Sequence, residues 1–455
     1  MDDSAFSVRA RRVVVVGAAR SGVAAAELLA KRGALVTLTE TRDSVDTADR
    51  LRAVGIHLEL GGHRWDTLAA ADLIVVSPGV PVEQQVFDAA RARGVEIIGE
   101  LELASRWICG RVLAITGTKG KSTTTTLLGR MLDAAGRRVL VGGNIGVPLS
   151  AQVEASTADT LHVVEASSFQ LATTTTFRPW IGVWLNFADD HLDRHPNLES
   201  YASAKARLFA NQTAGDWALI NADDPVVTAR SAGVRARCVP FALSGRIAAG
   251  FVVDGEWIVK RTAAGAERLV PVAAVELDGR HMLNNVLAAT AAASIAGVTP
   301  RAMTDALRGF RGIEHVMEPA GEIHGVRFVN DSKATNVEAA RCSIETFPGV
   351  VAIIGGRFKG GDLRQLREPL SAGGRAVVAI GEAAPLVRHA LSGVVPVVEA
   401  ASMRDAVERG YEAAAPDGVV LLAPACASFD WFRDYAERGN AFKDEVTRLK
   451  EKLGG

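Results

Sequence analysis

A short stretch of glycine, lysine and hydroxyl side chains gives the first sign of chemistry in this sequence. It reads Gly117-Thr118-Lys119-Gly120-Lys121-Ser122, continues with Thr123, and lies between an apolar run and residues that can begin a helix. Glycines let backbone N–H groups approach a phosphate, and the start of a helix favours negative charge. We expect Lys121 to reach the outer phosphates of a nucleotide and Ser122 to reach a magnesium ion. The loop is not a strict Walker A sequence, since Ile115 stands where the outer glycine belongs.

Polar clusters follow two further strand-like runs in the same region. The run "LHVVEASSFQL" presents Glu165 and Ser167, and "WIGVWLNFADDHLDRH" presents Asp190 and His191. Magnesium prefers oxygen ligands and keeps several waters, so one or two carboxylates beside the phosphates are enough to bind it. Taken alone, His191 is more typical of a structural or surface histidine, and Lys205 of a solvated helix lysine.

The segments around these residues predict three α/β units. The bulk numbers agree, because 455 residues correspond to about three domains at roughly 150 residues each. The first unit predicts a strand over 12–16, a helix over 21–32 and a second strand over 35–39, with Glu40 after it. In its first turn Ala19 takes the place of the middle glycine of a dinucleotide fingerprint. A structural turn and a nucleotide-diphosphate site therefore stay open, and an NAD site is less favoured.

The later units show their own patterns. The run "FVVDGEWIV" at 251–259 predicts a hairpin, and residues 288–296 predict an alanine-rich helix that ends at Gly297. The runs "VVAIIGG" and "AVVAIG" repeat a strand-then-glycine pattern that favours another doubly wound sheet. We expect an α/β protein with a Rossmann-like domain over 1–108, a central P-loop ATPase-like domain with a mostly parallel sheet over 109–312, and a Rossmann-like domain over 313–455.

Composition excludes several other classes of protein. The chain is 48% hydrophobic and 23% charged with a net charge of −1, so no nucleic-acid surface or polybasic membrane patch is indicated. The first residues lack the apolar core of a signal peptide, and no apolar run approaches the ~18 residues that span a bilayer. The four cysteines (Cys109, Cys238, Cys342 and Cys426) are scattered, which favours reduced thiols over disulfides or a zinc site. We expect a cytoplasmic enzyme that acts as a monomer.

Seven motifs in order resemble the Mur ligase family of peptidoglycan synthesis. They are "GTKGKST", "GGNIG", "VEASSFQL", "NFADDHLDRH", "YASAKARLF", "NDSKATN" and "PACASFDWFRDYAERGNAF". The last two resemble most closely the member that adds D-glutamate to UDP-N-acetylmuramoyl-L-alanine. The resemblance implies ATP-dependent amide ligation: the substrate carboxylate takes the γ-phosphoryl group of ATP, and the amine of D-glutamate then displaces phosphate.

The resemblance also assigns roles to positions of this sequence. Catalytic roles fall on Lys121, Glu165, His191 and Lys205. ATP is held by the loop from Gly117 to Thr123 with Asn285 and Asp331. One Mg²⁺ is expected to bind Ser122 and Glu165, and a second to bind His191 and a carbamylated Lys205. The residues expected to bind the UDP-substrate are Thr41, Arg42, Ser77, Asn144 and Ser167. Those expected to bind D-glutamate are His191, Lys333, Thr335, Lys359, Ser428 and Tyr435.

Two departures from the family pattern concern the nucleotide. Met282 stands where an asparagine is usual, although Asn284 lies close by, and Val316 replaces the arginine of a His-Arg pair. The change either weakens ATP binding or passes the task to Arg311 or Arg357. A sister Mur ligase with another amino-acid specificity and a non-catalytic nucleotide-binding regulatory relative remain the alternatives. A folylpolyglutamate synthase shares the central loop but does not account for "NDSKATN" with "PACAS".

Overall fold

The computed structural model describes residues 6–82, 84–190 and 194–454. Three separate sheets of mostly parallel strands, each covered by helices, follow one another along the chain. This is the mixed α/β class that the sequence predicts, and the three sheets correspond to three domains.

The first domain contains a five-stranded sheet in the order β3-β2-β1-β4-β5, with every neighbouring pair parallel. Its strands are β1 (Arg12–Val16), β2 (Leu35–Thr39), β3 (His57–Glu59), β4 (Leu73–Val76) and β5 (Glu96–Gly99). Its helices are α1 (Arg20–Lys31), α2 (Ala48–Ala53), α3 (Trp65–Ala69), α4 (Asp88–Ala92) and α5 (Glu100–Ser105). The first two strands agree with the sequence, and α1 begins one residue earlier than expected. The turns after β1, β2 and β4 lie at the same edge of the sheet, where such folds bind ligands.

The central domain contains a nine-stranded sheet in the order β14-β13-β12-β11-β10-β9-β6-β8-β7. Its strands are β6 (Arg111–Thr116), β7 (Val139–Gly143), β8 (Leu161–Glu165), β9 (Ile181–Trp184), β10 (Trp217–Asn221), β11 (Arg237–Ala242), β12 (Gly250–Asp254), β13 (Trp257–Thr262) and β14 (Gly265–Pro271). Its helices are α6 (Lys121–Ala134), α7 (Leu149–Gln152), α8 (Ser168–Ala172), α9 (Leu198–Ala206), α10 (Pro225–Arg230), α11 (Arg280–Ile295) and α12 (Pro300–Leu307). Only β12–β13 and β13–β14 pair antiparallel among the described strands of this sheet, which confirms the hairpin predicted at 251–259.

The C-terminal domain contains a six-stranded sheet in the order β15-β16-β20-β17-β18-β19. Its strands are β15 (Glu318–Ile323), β16 (Val326–Asn330), β17 (Val350–Gly355), β18 (Gly374–Ile380), β19 (Val397–Ala400) and β20 (Val419–Leu422). Its helices are α13 (Val337–Ile344), α14 (Arg367–Gly373), α15 (Ala384–Leu391), α16 (Met403–Ala414) and α17 (Tyr435–Leu453). β15 and β16 form an antiparallel pair, and the other neighbours run parallel.

Helix α5 joins the first domain to the central domain through two buried carboxyl groups. Glu102 accepts hydrogen bonds from the backbone N–H groups of Thr175, Thr176 and Phe177, and from the two threonine hydroxyls. These bonds, together with one from Arg106 Nε, outweigh the effect of burial and lower the pKa of Glu102 to about 2. Glu100 is as deeply buried and accepts a hydrogen bond from the Ser150 N–H, but burial outweighs this contact and raises the pKa of Glu100.

Two further expectations concern membranes and thiols. Among the described residues, no helix is long and apolar enough to cross a membrane. All four cysteines are free thiols, as their scattered positions predict.

Candidate functional site

The phosphate loop connects β6 to α6 and has the shape that its glycines predict. Gly117 has φ 154° and Gly120 has φ 77°, the left-handed region that favours glycine. A Cβ atom on Gly120 would lie 2.0 Å from Asn285 Oδ1, so no larger residue fits between the loop and α11. The N–H groups of Thr118 and Lys119 both donate to Asn186 Oδ1, at 3.0 and 2.9 Å. The sequence and its contacts therefore fix the loop before any ligand binds.

The side chains at the start of α6 are arranged around a carboxylate. Ser122 Oγ donates to Glu165 Oε2 at 2.7 Å, which brings together the ends of β6 and β8. Lys121 Nζ donates to the carbonyl oxygens of Gly117 and Thr118, at 2.9 and 3.0 Å. The Lys121 ammonium thus lies over the loop, where it adds positive charge to the backbone amides.

The segment that follows β16 brings C-terminal side chains to the phosphate loop. Lys333 Nζ donates to Ser122 Oγ at 2.6 Å, and the Lys119 ammonium donates to the Glu338 carbonyl oxygen. Asn336 Nδ2 donates to Asp190 Oδ2 at 2.6 Å. Three hydrogen bonds that involve residues 333–338 therefore join the C-terminal domain to the central domain beside the phosphate loop.

These elements enclose a cavity of about 270 Å³, which we call the phosphate cavity. Predicted site residues that line it are Thr118, Lys119, Gly120, Lys121, Ser122, Thr123, Asn144, Glu165, Asn285, Asp331, Lys333, Thr335 and Tyr435. Three lysine ammonium groups facing one space suit the triphosphate of a nucleotide.

Lys205 lies directly behind the phosphate loop on α9. Its side chain is 1% exposed, and its Nζ donates to the Gly117 carbonyl oxygen at 2.8 Å. Burial, followed by the charge of Lys121, lowers the pKa of Lys205 well below its ordinary value, although Asp190 and Glu165 act in the opposite direction. Burial thus favours the neutral amine, which is the nucleophilic form of a lysine side chain. The structure rules out the solvated helix lysine that the bare sequence favours.

Two more titratable groups lie on the far side of the phosphate cavity. Burial raises the pKa of Asp331 to about 6, while a hydrogen bond from Ser343 Oγ works against this. Burial lowers the pKa of His281 to about 4, and the charge of Lys119 adds to the effect. His281 is therefore neutral at physiological pH, and the cavity gains no cation from it.

A second cavity of about 520 Å³, the interdomain cavity, lies between the first domain and the central domain. Thr41, Ser77 and Asn144 of the predicted substrate residues line it. Asn144 also lines the phosphate cavity, and its Nδ2 donates to Glu165 Oε1 at 2.7 Å. One extended ligand can therefore reach from the first domain to the phosphate loop past Asn144.

Glu40 of the first domain is hydrogen-bonded to groups inside the protein. Its carboxylate accepts hydrogen bonds from the Ala18 and Thr41 N–H groups, both within 2.9 Å, and from the Thr41 hydroxyl. Despite burial, these bonds and Arg42 lower its pKa to about 2. In a dinucleotide fold the acidic residue here binds ribose, whereas Glu40 is committed to holding the turns after β1 and β2.

The remaining predicted residues are dispersed. Lys359 and Thr335 line a small cavity of about 20 Å³ with Asp189 and Asp190. Ser428 is buried at 2% exposure after β20. The Arg42 side chain is largely exposed and pairs with Glu40. Ser167 caps α8, where it exchanges hydrogen bonds with Gln170. His191 lies outside the described residues.

The two departures from the family pattern pack against the same apolar core. Met282 of α11 is 1% exposed and packs in the apolar core of the C-terminal domain, against which Val316 also packs. Both side chains line the phosphate cavity. Neither proposed substitute does: Arg311 lies 3.9 Å from Glu276, and Arg357 pairs with Glu382 at 2.8 Å. The structure thus gives no support to a transfer of the missing arginine's task to either residue.

The oxygen atoms at Ser122 and Glu165 are of the kind that magnesium binds. Among the described residues, no group of three or more His, Cys, Asp or Glu side chains is placed to hold a metal ion. A magnesium ion beside phosphates needs only one or two carboxylates. The Lys333 ammonium on Ser122 Oγ shows that this position accepts positive charge.

Sequence reasoning missed two residues that line the interdomain cavity. Arg20 is the one lysine or arginine among the described residues lining it, and its Nη1 donates to the Gly146 carbonyl oxygen at 3.3 Å. His63 lines the same cavity and contacts Thr39. The arginine at the start of a helix next to a glycine turn was a usable signal, whereas nothing in the sequence around His63 marks it.

Fold and site together define an α/β nucleotide-phosphate-binding protein whose phosphate cavity lies between the central and C-terminal domains. Family models match each domain in turn. "Mur ligase MurD-like, N-terminal domain" matches residues 11–99, "Mur ligase middle domain" matches 115–293, and "Mur ligase, glutamate ligase domain" matches 317–426.

Curated relatives match almost the whole chain. The UDP-N-acetylmuramoylalanine--D-glutamate ligase of Acidobacterium capsulatum is 47% identical, with 97% of each chain covered. The protein of the same name from Solibacter usitatus is 44% identical over 97% of this chain and 98% of its own. The chain belongs to the Mur ligase family.

Solved structures agree on the fold. A pseudomurein peptide ligase type C from Methanothermus fervidus has a TM-score of 0.62 at 18% identity, with 97% of this chain and 100% of that chain covered. A UDP-N-acetylmuramate-alanine ligase from Thermotoga maritima has a TM-score of 0.60 at 18% identity, with the same coverage.

Proposed function

We propose that this protein is an ATP-dependent ligase that adds D-glutamate to UDP-N-acetylmuramoyl-L-alanine in peptidoglycan precursor synthesis. The observation that carries the proposal is the connection of the two cavities at Asn144. It lets a nucleotide-linked substrate held by the first domain present its carboxyl end at the phosphate loop. The curated relatives at 40–47% identity, all named as ligases of this specificity, support the choice of substrates.

The first chemical step brings two anions together. The substrate carboxylate attacks the γ-phosphorus of ATP, the bond to ADP breaks, and an acyl phosphate forms. The lysine ammonium groups of the phosphate cavity (Lys119, Lys121 and Lys333) reduce the repulsion between the carboxylate and the triphosphate. Charge stabilisation and alignment of the reacting groups are therefore the main tasks of these side chains.

The second step joins the amino acid. The amine of D-glutamate attacks the acyl carbon, phosphate leaves with the bonding electron pair, and the nitrogen loses a proton to give the amide. Lys359 and Ser428 bind the carboxylates of D-glutamate, and the rest of its site is formed by His191, Lys333, Thr335 and Tyr435. A lysine and hydroxyl groups are suitable partners for a doubly anionic amino acid.

ATP and two magnesium ions complete the site. The loop from Gly117 to Thr123 binds the phosphates, and Asn285 and Asp331 contact the rest of the nucleotide. Ser122 and Glu165 would hold one ion, which would supply charge neutralisation at the phosphates. His191 and the modified Lys205 would hold the second.

Lys205 serves as a metal ligand only after modification. Its neutral Nζ adds to carbon dioxide and releases a proton, which replaces an amine by a carbamate with two oxygen atoms. The burial and depressed pKa of Lys205 support this reaction, since only the neutral amine can attack.

Each domain binds a different substrate. Residues 1–108 bind the UDP-substrate with Thr41, Arg42 and Ser77, assisted by Asn144 and Ser167 of the central domain. Residues 109–312 bind ATP, and residues 313–455 bind the incoming D-glutamate. One chain supplies every residue of the proposed site, so the protein works as a monomer, and it acts in the cytoplasm, where ATP and nucleotide sugars are available.

The test is phosphate release from ATP in the presence of UDP-N-acetylmuramoyl-L-alanine and each candidate amino acid in turn. Release with D-glutamate alone is the expected result. Release with another amino acid identifies a sister ligase, and release with none favours a nucleotide-binding protein without catalysis. Substrate with ¹⁸O in its carboxyl group adds a check on the mechanism, because one labelled oxygen must appear in the released phosphate.

A further inference from the structure

The hydrogen bonds of Thr39 determine which nitrogen of His63 carries a proton. Thr39 Oγ lies 3.1 Å from the Gly62 carbonyl oxygen and 2.9 Å from His63 Nδ1. A carbonyl oxygen only accepts, so the single hydroxyl hydrogen of Thr39 must go to Gly62. His63 Nδ1 therefore donates to Thr39. Burial lowers the pKa of His63, although Glu40 and Glu59 oppose this, and so favours the neutral ring, in which Nε2 carries a lone pair.

The hydroxyl groups of Thr41 and Ser77, which also line the interdomain cavity, likewise donate their hydrogens to groups inside the protein. Thr41 Oγ donates to Glu40 Oε1 at 3.0 Å, and Ser77 Oγ donates to the Gly17 carbonyl oxygen at 3.0 Å. With their hydrogens used inside the protein, both hydroxyls have only lone pairs left for a ligand. His63, Thr41 and Ser77 thus form a set of hydrogen-bond acceptors that lines one part of the cavity.

The position of this set along the sheet indicates which part of a nucleotide it meets. In a doubly wound sheet, phosphates bind at the first glycine turn and the start of the following helix, which here are Gly17 and α1. The nucleoside lies beyond, at the end of the second strand. Thr41 follows β2 directly, and His63 is fixed to Thr39 at the last residue of that strand. Thr41 and His63 therefore face the base and ribose of a bound nucleotide, whereas Ser77 lies beside Gly17 at the phosphate end.

We propose that His63 Nε2 accepts a hydrogen bond from the imide N3–H of the uracil base and so selects uracil among nucleotide bases. The inference rests on the proposed function, because it assumes that a uridine nucleotide occupies the interdomain cavity. Uracil carries a hydrogen on N3, whereas cytosine has a lone pair there that would oppose the lone pair of His63. A methyl group on N3 of uracil removes the same hydrogen.

The experiment measures binding of UDP, CDP and 3-methyl-UDP to the full-length protein by isothermal titration calorimetry at pH 7.5. UDP is expected to bind the wild type about tenfold more tightly than either analogue, the loss that follows when one buried acceptor is left unpaired. His63→Ala should bring all three affinities to within about twofold of one another. His63→Gln, whose amide oxygen can accept, should restore part of the preference for UDP.

His57→Ala is the matched control, because His57 is an exposed histidine on β3 that does not line the cavity. It should keep the wild-type order of affinities. Equal affinities in the wild type, no UDP binding, or an unchanged UDP preference in His63→Ala would overturn the inference. Those results leave the phosphate-release assay unaffected, so a failure of this inference and a failure of the proposed function are separate outcomes.

Discussion

Helix α5 allows a direct test of how buried carboxyl groups affect stability, because the pKa values of its two buried glutamates are shifted in opposite directions. Glu102 accepts hydrogen bonds from the Thr175, Thr176 and Phe177 N–H groups as an ionised carboxylate, and its pKa falls from 4.5 to about 2. At about 1.4 kcal/mol per pKa unit, that shift corresponds to about 3 kcal/mol of stability at neutral pH. Glutamine resembles the uncharged carboxyl group, so Glu102→Gln should cost about this much.

Glu100→Gln is the matched control two residues away. Burial raises the pKa of Glu100, so its stabilising state is the protonated one, and the protein loses stability as the pH rises above 4.5. Glutamine removes that loss, and Glu100→Gln should be at least as stable as the wild type at pH 8. The same substitution on the same helix therefore has opposite effects.

The pH dependence of the free energy of unfolding further distinguishes the effect of Glu102 from that of Glu100. Because the pKa of Glu102 is lowered in the folded protein, its carboxylate stabilises the fold above the unfolded pKa of 4.5. This stabilisation is lost as the pH falls toward about 2. The difference between wild type and Glu102→Gln should shrink over that range. The difference between wild type and Glu100→Gln should vanish below pH 4.5.

Hydrogen exchange of residues 175–177 is the direct assay, because these amides donate to Glu102. In Glu102→Gln their protection should fall by about 100-fold, the factor that corresponds to about 3 kcal/mol. Unchanged protection in Glu102→Gln, or an equal fall in Glu100→Gln, would refute the reasoning.

Three further predictions concern activity. Lys205→Ala should be nearly inactive with its fold intact by circular dichroism, and short carboxylic acids should restore part of the turnover; wild-type turnover would exclude the second-metal role. Arg20→Met should raise the KM for the UDP-substrate by about tenfold with little change in kcat, since a charge-assisted contact is lost, whereas Arg12→Met, at the opposite end of β1, should leave both constants unchanged. Val316→Arg should lower the ATP KM, because it adds a cation to the lining of the phosphate cavity, while Val316→Met should not. A higher KM for the arginine variant would show that the apolar packing of Val316 matters more than the added charge.

Local patterns predicted most of the fold. The strands around 12–16 and 35–39, the hairpin at 251–259 and the loop before α6 all depend on neighbours in sequence, so their residues indicate them directly. The site depends on distant residues. Lys205 looks like a solvated lysine until the fold buries it behind Gly117.

The departures at Met282 and Val316 show a different limit of sequence reasoning. From the sequence they look like lost polar contacts with a nucleotide, because each is compared only with the residue it replaces. In the structure they pack against one apolar core, which only the three-dimensional arrangement of α11 and the C-terminal domain reveals. The acceptor role of His63 was equally hidden, since it follows from the partners of Thr39 and from no property of histidine itself.

The short segment after β16 also has a consequence for inhibitor design. Lys333, Asn336 and Glu338 reach across to three separate positions around the phosphate loop. A compound wedged into that seam would need no likeness to ATP, to the nucleotide sugar or to the amino acid. By propping the two lobes apart it would dismantle the reaction centre while leaving each lobe folded.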